Sequence, residues 1–226
     1  MSEIIAEAKS IATPGEVLVR GMDFLPSYGT YRDGEEIRAQ LVGLLRIDGK
    51  VVKLIPLSGR YNPKKGDTII GKVFDILISG WRLDINCGST AVLSMQEASN
   101  DFIKRGADLT QYFELDDWVV CSITNVTSQK LVDVTMKGPG LRKLKGGRLV
   151  PVVPYKVPRI IGKQGSMVSL IKDATGSKIT VGQNGLVWIY NEDPKKESKT
   201  VEAIKKVEEN SHIDGLTEMI KEFLSK

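Results

Sequence analysis

The sequence predicts a multidomain chain of β and α+β classes, and three observations carry that prediction. Up to about residue 136, apolar residues recur mostly with a two-residue period between Gly, Pro and Asp-Gly turns, as in short strands. From about Val157 the period lengthens to that of helices, around two glycines spaced G-x-x-G at 162 and 165. Charge is also sorted along the chain. Lys137 to Lys178 contains ten Lys or Arg and one acid, Asp173, a local +9 within a net charge of +4. At 226 residues with 41% apolar content, one to three domains with real cores are possible.

The first segment, residues 1–62, reads as an N-terminal β-rich domain. Thr13-Pro14-Gly15-Glu16 signals a turn before Val17-Leu18-Val19, and Tyr28 to Tyr31 and Asp33-Gly34 mark further turns. Ile37 to Ile47 alternates imperfectly. Asp48-Gly49-Lys50 then predicts a hairpin that brings Val51 to Ile55 back antiparallel. Acids and bases balance at eight each, so this segment has no electrostatic reason to seek nucleic acid and suits protein docking.

Residues 63–145 read as a five-stranded barrel. Lys65 to Ile76 enters through a glycine turn, and Gly80 to Ile85 alternates with Trp81, Leu83 and Ile85 inward and Arg82 and Asp84 outward. Ala91 to Met95, Asp116 to Ile123 and Leu131 to Met136 supply three more strands, which together fit an OB-fold barrel. The runs G-D-x-x-x-G-K-V, L-S-M-Q-E-A-S and F-E-L-D-D-W-V-V-C-S-I resemble the RNA-binding OB domain named after ribosomal protein S-one. That family commonly stacks bases on exposed aromatics of its second and third strands. Here the matching places hold Ser79, Arg82 and Ser94, while Trp81 falls on the core side. Stacking is worth about 1–3 kcal/mol per base, so the resemblance implies a weakly gripping barrel. Its expected phosphate contacts are Lys72, Arg82, Lys104 and Arg105.

Residues 146–226 follow a Gly146-Gly147 joint short enough to predict packing against the barrel. A strand (Arg148 to Val153) precedes the short helical turn Val157 to Ile161. After Gly162-Lys163-Gln164-Gly165 a helix runs from Ser166 to Thr175, ended by Gly176. Strands Lys178 to Val181 and Leu186 to Tyr190 flank a Gln183-Asn184-Gly185 turn, and helices follow from Pro194, breaking near Asp214-Gly215. This order resembles a type I KH domain. Its loop grips a nucleic-acid backbone because bare glycines let the strand approach the main chain while the next helix presents its positive end. The expected RNA contacts are Arg159, Ile161, Gly162, Lys163, Gln164, Gly165, Lys172 and Lys178. The competing reading is that both glycines serve only a tight helix connection.

Catalytic patterns are absent from the sequence. His212 stands alone in a polar break, no phosphate-binding or nucleophile loop is present, and the acids sit on turns and outer strand faces. Cys87 and Cys121 form no C-x-x-C pair and read as small buried hydrophobes of a reducing cytoplasm. With no membrane-length apolar run and no secretory pattern, the expectation is a cytoplasmic, non-enzymatic chain without cofactor or metal.

Taken whole, the order of β leader, S-one barrel and single KH domain resembles the RNA-binding cap subunits of the archaeal exosome, of the ribosomal-RNA-processing protein four type. T-P-G-E, G-T-Y-R-D-G and I-D-G-K-V-V-K-L-I-P-L-S-G-R-Y-N-P in the leader and V-P-R-I-I-G-K-Q-G-S-M in the KH core carry the likeness. The resemblance implies three copies docked through their N-terminal domains on a hexameric phosphorolytic RNase ring, possibly mixed with a second cap subunit. They would capture single-stranded RNA and feed its 3′ ends inward. The rival is a free-standing RNA-binding transcription or translation regulator built from the same modules.

Overall fold

Short strands joined by turns, many at positive-φ glycines, build the first two thirds of this chain, and helices packed on a small sheet build the rest. The computed structural model describes residues 3–7, 10–57, 59–104, 106–211, 213 and 215–225. The expected contact Arg105 and the lone histidine His212 lie outside the described residues. Met1–Gly59 forms one compact unit and Arg60–Lys226 a second.

In the first unit, β1 (Glu3–Ile4), β3 (Val17–Arg20), β6 (Glu36–Ala39) and β5 (Thr30–Asp33) form one four-stranded sheet. The other sheet runs in the order β2 (Ile11–Ala12), β7 (Gly43–Asp48), β8 (Val51–Pro56) and β4 (Leu25–Pro26). Leu18, Val19, Ile37, Leu45, Val52 and Leu54 make its core. The expected hairpin pairs Asp48 with Val51 around Gly49, which sits at φ 61°. The imperfect stretch from Ile37 to Ile47 is two strands in different sheets, because the chain crosses over at Gln40, whose N–H donates to Gly29 O at 2.8 Å.

The barrel opens with β9 (Thr68–Leu77), which pairs with β10 (Gly80–Asp84); β10 pairs with β11 (Thr90–Ser94). A short helix α1 (Met95–Ala98) follows. β12 (Trp118–Val126) then pairs with both β9 and β13 (Val132–Thr135), and β13 lies parallel to β11, closing a ring of five strands. Ring closure removes the free edges that an open sheet would present. Trp81, Leu83, Ile85, Leu93, Val119 and Ile123 fill the interior, as the alternation predicts. A sixth strand, β14 (Arg142–Leu144), adds to the outside of β12. It escapes sequence reading because it is three residues long, basic, and flanked by glycines.

In the third module, β15 (Arg148–Pro151), β17 (Leu186–Tyr190) and β16 (Lys178–Val181) form an antiparallel sheet with β17 in the centre. Helices α2 (Val157–Ile161), α3 (Ser166–Thr175), α4 (Pro194–Glu209) and α5 (Leu216–Ser225) cover one face. This is the type I KH arrangement. Asp193 caps α4, accepting from Lys195 N at 2.9 Å, and Pro194 occupies the first helical position. Met167, Ile171 and Thr175 are the buried residues of α3, with Val168 and Leu170 packed at the margin of the core.

The face of the sheet without helices is not open to water. Leu149, Leu186, Trp188 and Tyr190 pack there on Ile70, Val120 and Leu144 of the barrel, so the two modules share an apolar seam. Asn184, in the turn between β16 and β17, enters the barrel wall and is completely buried. Its amide donates to Ile70 O at 2.7 Å and Ile85 O at 3.0 Å, and its Oδ1 accepts from Ile70 N at 3.2 Å.

Candidate nucleic-acid interface

The loop between α2 and α3 is a tight turn with most of its backbone at positive φ. Gly162 has φ 76° and ψ 174°, Gln164 φ 51° and Gly165 φ 82°, so three residues of four lie at positive φ. The two glycines are required for different reasons. A Cβ at Gly162 would stand 2.7 Å from Met167 N and 2.9 Å from Ser166 Oγ, so that glycine is dictated by the turn itself. At Gly165 an added Cβ would meet only Val168 Cγ1, at 4.0 Å. Beyond its backbone angle, Gly165 leaves space that the protein does not fill. The reading of both glycines as a tight connection accounts for Gly162 by contact and for Gly165 by its backbone angle; the open space beside Gly165 is the one feature it does not use.

No side chain caps the N-terminus of α3. Amides in a first helical turn have no partner within the helix, and the helix dipole adds positive potential there. Lys163, Gln164 and Arg159 are exposed around the loop, and Ile161 is half-buried on the side of α2. The Gly162 and Gly165 N–H groups donate to Pro158 O and Gly162 O, so an oxyanion meeting this loop finds the positive start of α3, one ammonium and one side-chain amide, with no carboxylate side chain in the loop itself. Lys172 lies six residues further along α3, about 9 Å from its start, and Lys178 opens the edge strand β16. The structure thus gathers Arg159, Lys163, Lys172 and Lys178 on one module.

The barrel contacts are placed differently. Lys72 forms an ion pair with Asp116 Oδ1 at 2.6 Å and lies 6.0 Å from the centre of the Trp118 ring, so much of its charge is already answered. Arg82 stands 3.7 Å from Asp75 on the outer face, half-exposed. Lys104 is exposed in the loop after α1. These three do not converge with the KH loop into one cluster of neighbours.

The sequence reading passes over Phe74. It emerges where β9 bulges, between the Arg82–Asp75 and Leu83–Val73 pairs, and is 42% exposed. Arg82 pairs with the next residue, Asp75, so an aromatic ring and a guanidinium share the outer surface that the second and third strands leave without a ring. The signal was plain alternation, with Val73 inward and Lys72 and Phe74 outward; the bulge then keeps Asp75 outward as well and returns Ile76 to the core. Changing Phe74 to Ala is expected to weaken single-stranded RNA binding by about 1 kcal/mol, roughly fivefold. Fluorescence anisotropy with a labelled oligonucleotide measures it, and an unchanged affinity removes the stacking role.

Neither thiol is poised for chemistry. Burial pushes the Cys121 thiol up to about 12, and it also raises that of Cys87, whose Sγ donates to Ser89 O. Among the described residues, no group of three or more His, Cys, Asp or Glu converges, and no helix is long and apolar enough to cross a membrane.

Comparison with known proteins agrees with this geometry. The family described as the RRP4 S1 domain matches residues 60–125, and the KH domain family matches residues 149–208. The exosome complex component Rrp4 of Thermococcus kodakarensis is 39% identical, the match spanning 99% of this chain and 88% of that protein. That of Methanobrevibacter smithii is also 39% identical, across 98% of this chain and 73% of the relative. A crystal structure of a candidate exosome complex RNA-binding protein superposes with a TM-score of 0.66 at 30% identity, covering 74% of this chain and 96% of that one.

Proposed function

The chain belongs to the Rrp4 family of exosome complex components, and on that premise we propose that it is a non-catalytic RNA-binding subunit that captures single-stranded RNA and feeds 3′ ends to a phosphorolytic RNase ring. The observation that carries this reading is the G-x-x-G loop: three positive-φ residues, an uncapped helix start, exposed Lys163, and empty space at Gly165. Such a loop binds phosphodiester oxygens and offers no group that could activate water or inorganic phosphate. Breaking bonds therefore falls to neighbouring subunits.

Three copies per hexameric ring, with or without a second kind of cap subunit, fit a chain whose two nucleic-acid modules are fused and whose first unit is electrostatically balanced. Support for docking through that first unit comes from exposed apolar side chains, Ile11, Met22 and Leu25 at 60–67% and Tyr28 at 44%. Such a surface suits protein contact better than a polyanion. The reading places the subunit in the cytoplasm with the ring.

Reconstitution tests it. Mixed with phosphorolytic ring subunits, the chain is expected to co-elute with them in gel filtration and to accelerate degradation of a structured RNA with a short single-stranded tail. Separate elution with no acceleration overturns the proposal, as does phosphate-dependent release of nucleotides by the chain alone.

A further inference from the structure

The seam between barrel and KH sheet leaves a groove of about 930 Å³ along its β14–β16 side. Five cations line it: Arg142, Lys143 and Lys145 from the barrel side, Lys172 and Lys178 from the KH side. Its lining includes no acidic residue among the described residues. Lys143 is engaged with Asp117, but Arg142, Lys145, Lys172 and Lys178 have no carboxylate partner among the described residues.

Two of these cations are held in a particular way. The Arg142 guanidinium lies 5.8 Å from the centre of the Trp188 ring, and the Lys178 ammonium 5.7 Å from that of Tyr190. The two rings are themselves stacked, 6.0 Å apart and 6° from parallel. A carboxylate would order these side chains by neutralising them. An aromatic face orders them while their charge and N–H donors stay available. Arg142 reaches across the groove to Thr180 Oγ1 at 3.4 Å, so the barrel and the KH edge strand are joined at this point. The stacked rings have their faces taken by each other and by the cations, which leaves little for a base to stack on.

We propose that this groove is a phosphate track for RNA, continuing along Lys172 from the G-x-x-G loop onto the barrel; the proposal rests on the RNA-binding reading above. It reads charge spacing rather than base identity, and it requires both modules at once, since neither supplies more than three of the five cations. It gives a physical use to a seam that fixes the KH domain against the barrel: a rigid joint keeps the phosphate contacts of the two modules at one spacing.

The test uses the full chain and two single-stranded oligoribonucleotides, one of four nucleotides, which a KH loop spans, and one of about 16. In the Arg142→Gln, Lys145→Gln double variant the four-nucleotide affinity is expected to stay as in the unaltered chain. The longer oligomer should bind about 25-fold more weakly at roughly 0.1 M salt, with a log–log salt slope shallower by about 1.4, from two lost single-strand phosphate contacts. The charge-retaining Arg142→Lys, Lys145→Arg variant should recover most of the long-oligomer affinity. Unchanged affinity and slope for the longer oligomer overturn the groove, and so does an equal loss with the charge-retaining variant. An unaltered chain that holds both oligomers equally well also removes the groove while leaving RNA binding in place. A chain that binds neither at low salt removes the RNA-binding reading itself.

Discussion

Replacing Asn184 by Ala should lower the stability of the Arg60–Lys226 unit by about 3 kcal/mol. The side chain is fully buried and makes three hydrogen bonds to the backbone of Ile70 and Ile85, 114 and 99 residues away. Its removal strands those three groups in a dry seam, beside Trp188 and Leu186, and opens a void that water can enter only by loosening the apolar contact. For a unit of this size, 3 kcal/mol corresponds to a melting-temperature drop of about 6–12 °C. The unaltered unit is expected to lose barrel and KH structure together, because seam and amide couple them. In Asn184→Ala the two should separate, with the Trp188 environment changing before the barrel core around Trp81 melts. Calorimetry with single-tryptophan variants resolves this. A single transition at the original temperature would show that the apolar seam suffices without the amide.

The same residue shows where sequence reading stops. Gln183-Asn184-Gly185 reads correctly as a turn, since Asn and Gly are turn formers whatever surrounds them. That the Asn carboxamide turns inward to bind another module is a property of partners a hundred positions away. Elements set by local chemistry are the legible ones. The bounds of α3, β16 and β17 follow from Gly165, Gly176 and the turn at Gly185, and the inward face of β10 from alternation at Trp81, Leu83 and Ile85. Elements that depend on a partner escape. β14 exists because Leu144 finds Trp118 in register, and its composition alone says loop. Lys72 reads as a free cation, and only the fold shows Asp116, at φ 69° in the turn before β12, beside it. The basic run from Lys137 to Lys178 is visible as composition. That part of it lines a groove between two modules, two of its cations held over Trp188 and Tyr190, needed the tertiary arrangement.

The largest effect on RNA is expected from Lys163→Asp combined with Gln164→Asp. Both side chains are exposed, and neither makes a hydrogen bond or ion pair with another described residue, so the folded core loses nothing. Position 164 has φ 51° and ψ 30°, a left-handed conformation that Asp adopts more readily than most residues, so the turn is not strained by the change. Gly162 and Gly165 are kept, and with them the turn and the open space beside Gly165. What changes is charge, by three units in the negative direction, where a phosphate is expected to sit. At about 5–6 Å and an effective dielectric near 60, each unit costs about 1 kcal/mol, so affinity for a short single strand should fall on the order of 100-fold. Because the effect is electrostatic and exposed, it must shrink as salt rises; a loss that persists undiminished at about 1 M salt would indicate a misfolded loop rather than repulsion. A Gly165→Ala variant separates the remaining alternatives. Its Cβ meets nothing closer than Val168 at 4.0 Å, so the fold accommodates it apart from the backbone angle. If the strand lies against the main chain at Gly165, the methyl group stands in its way and binding drops even though no charge is altered. Full binding by the alanine variant, together with full binding by the double aspartate variant, would mean that RNA does not touch this loop.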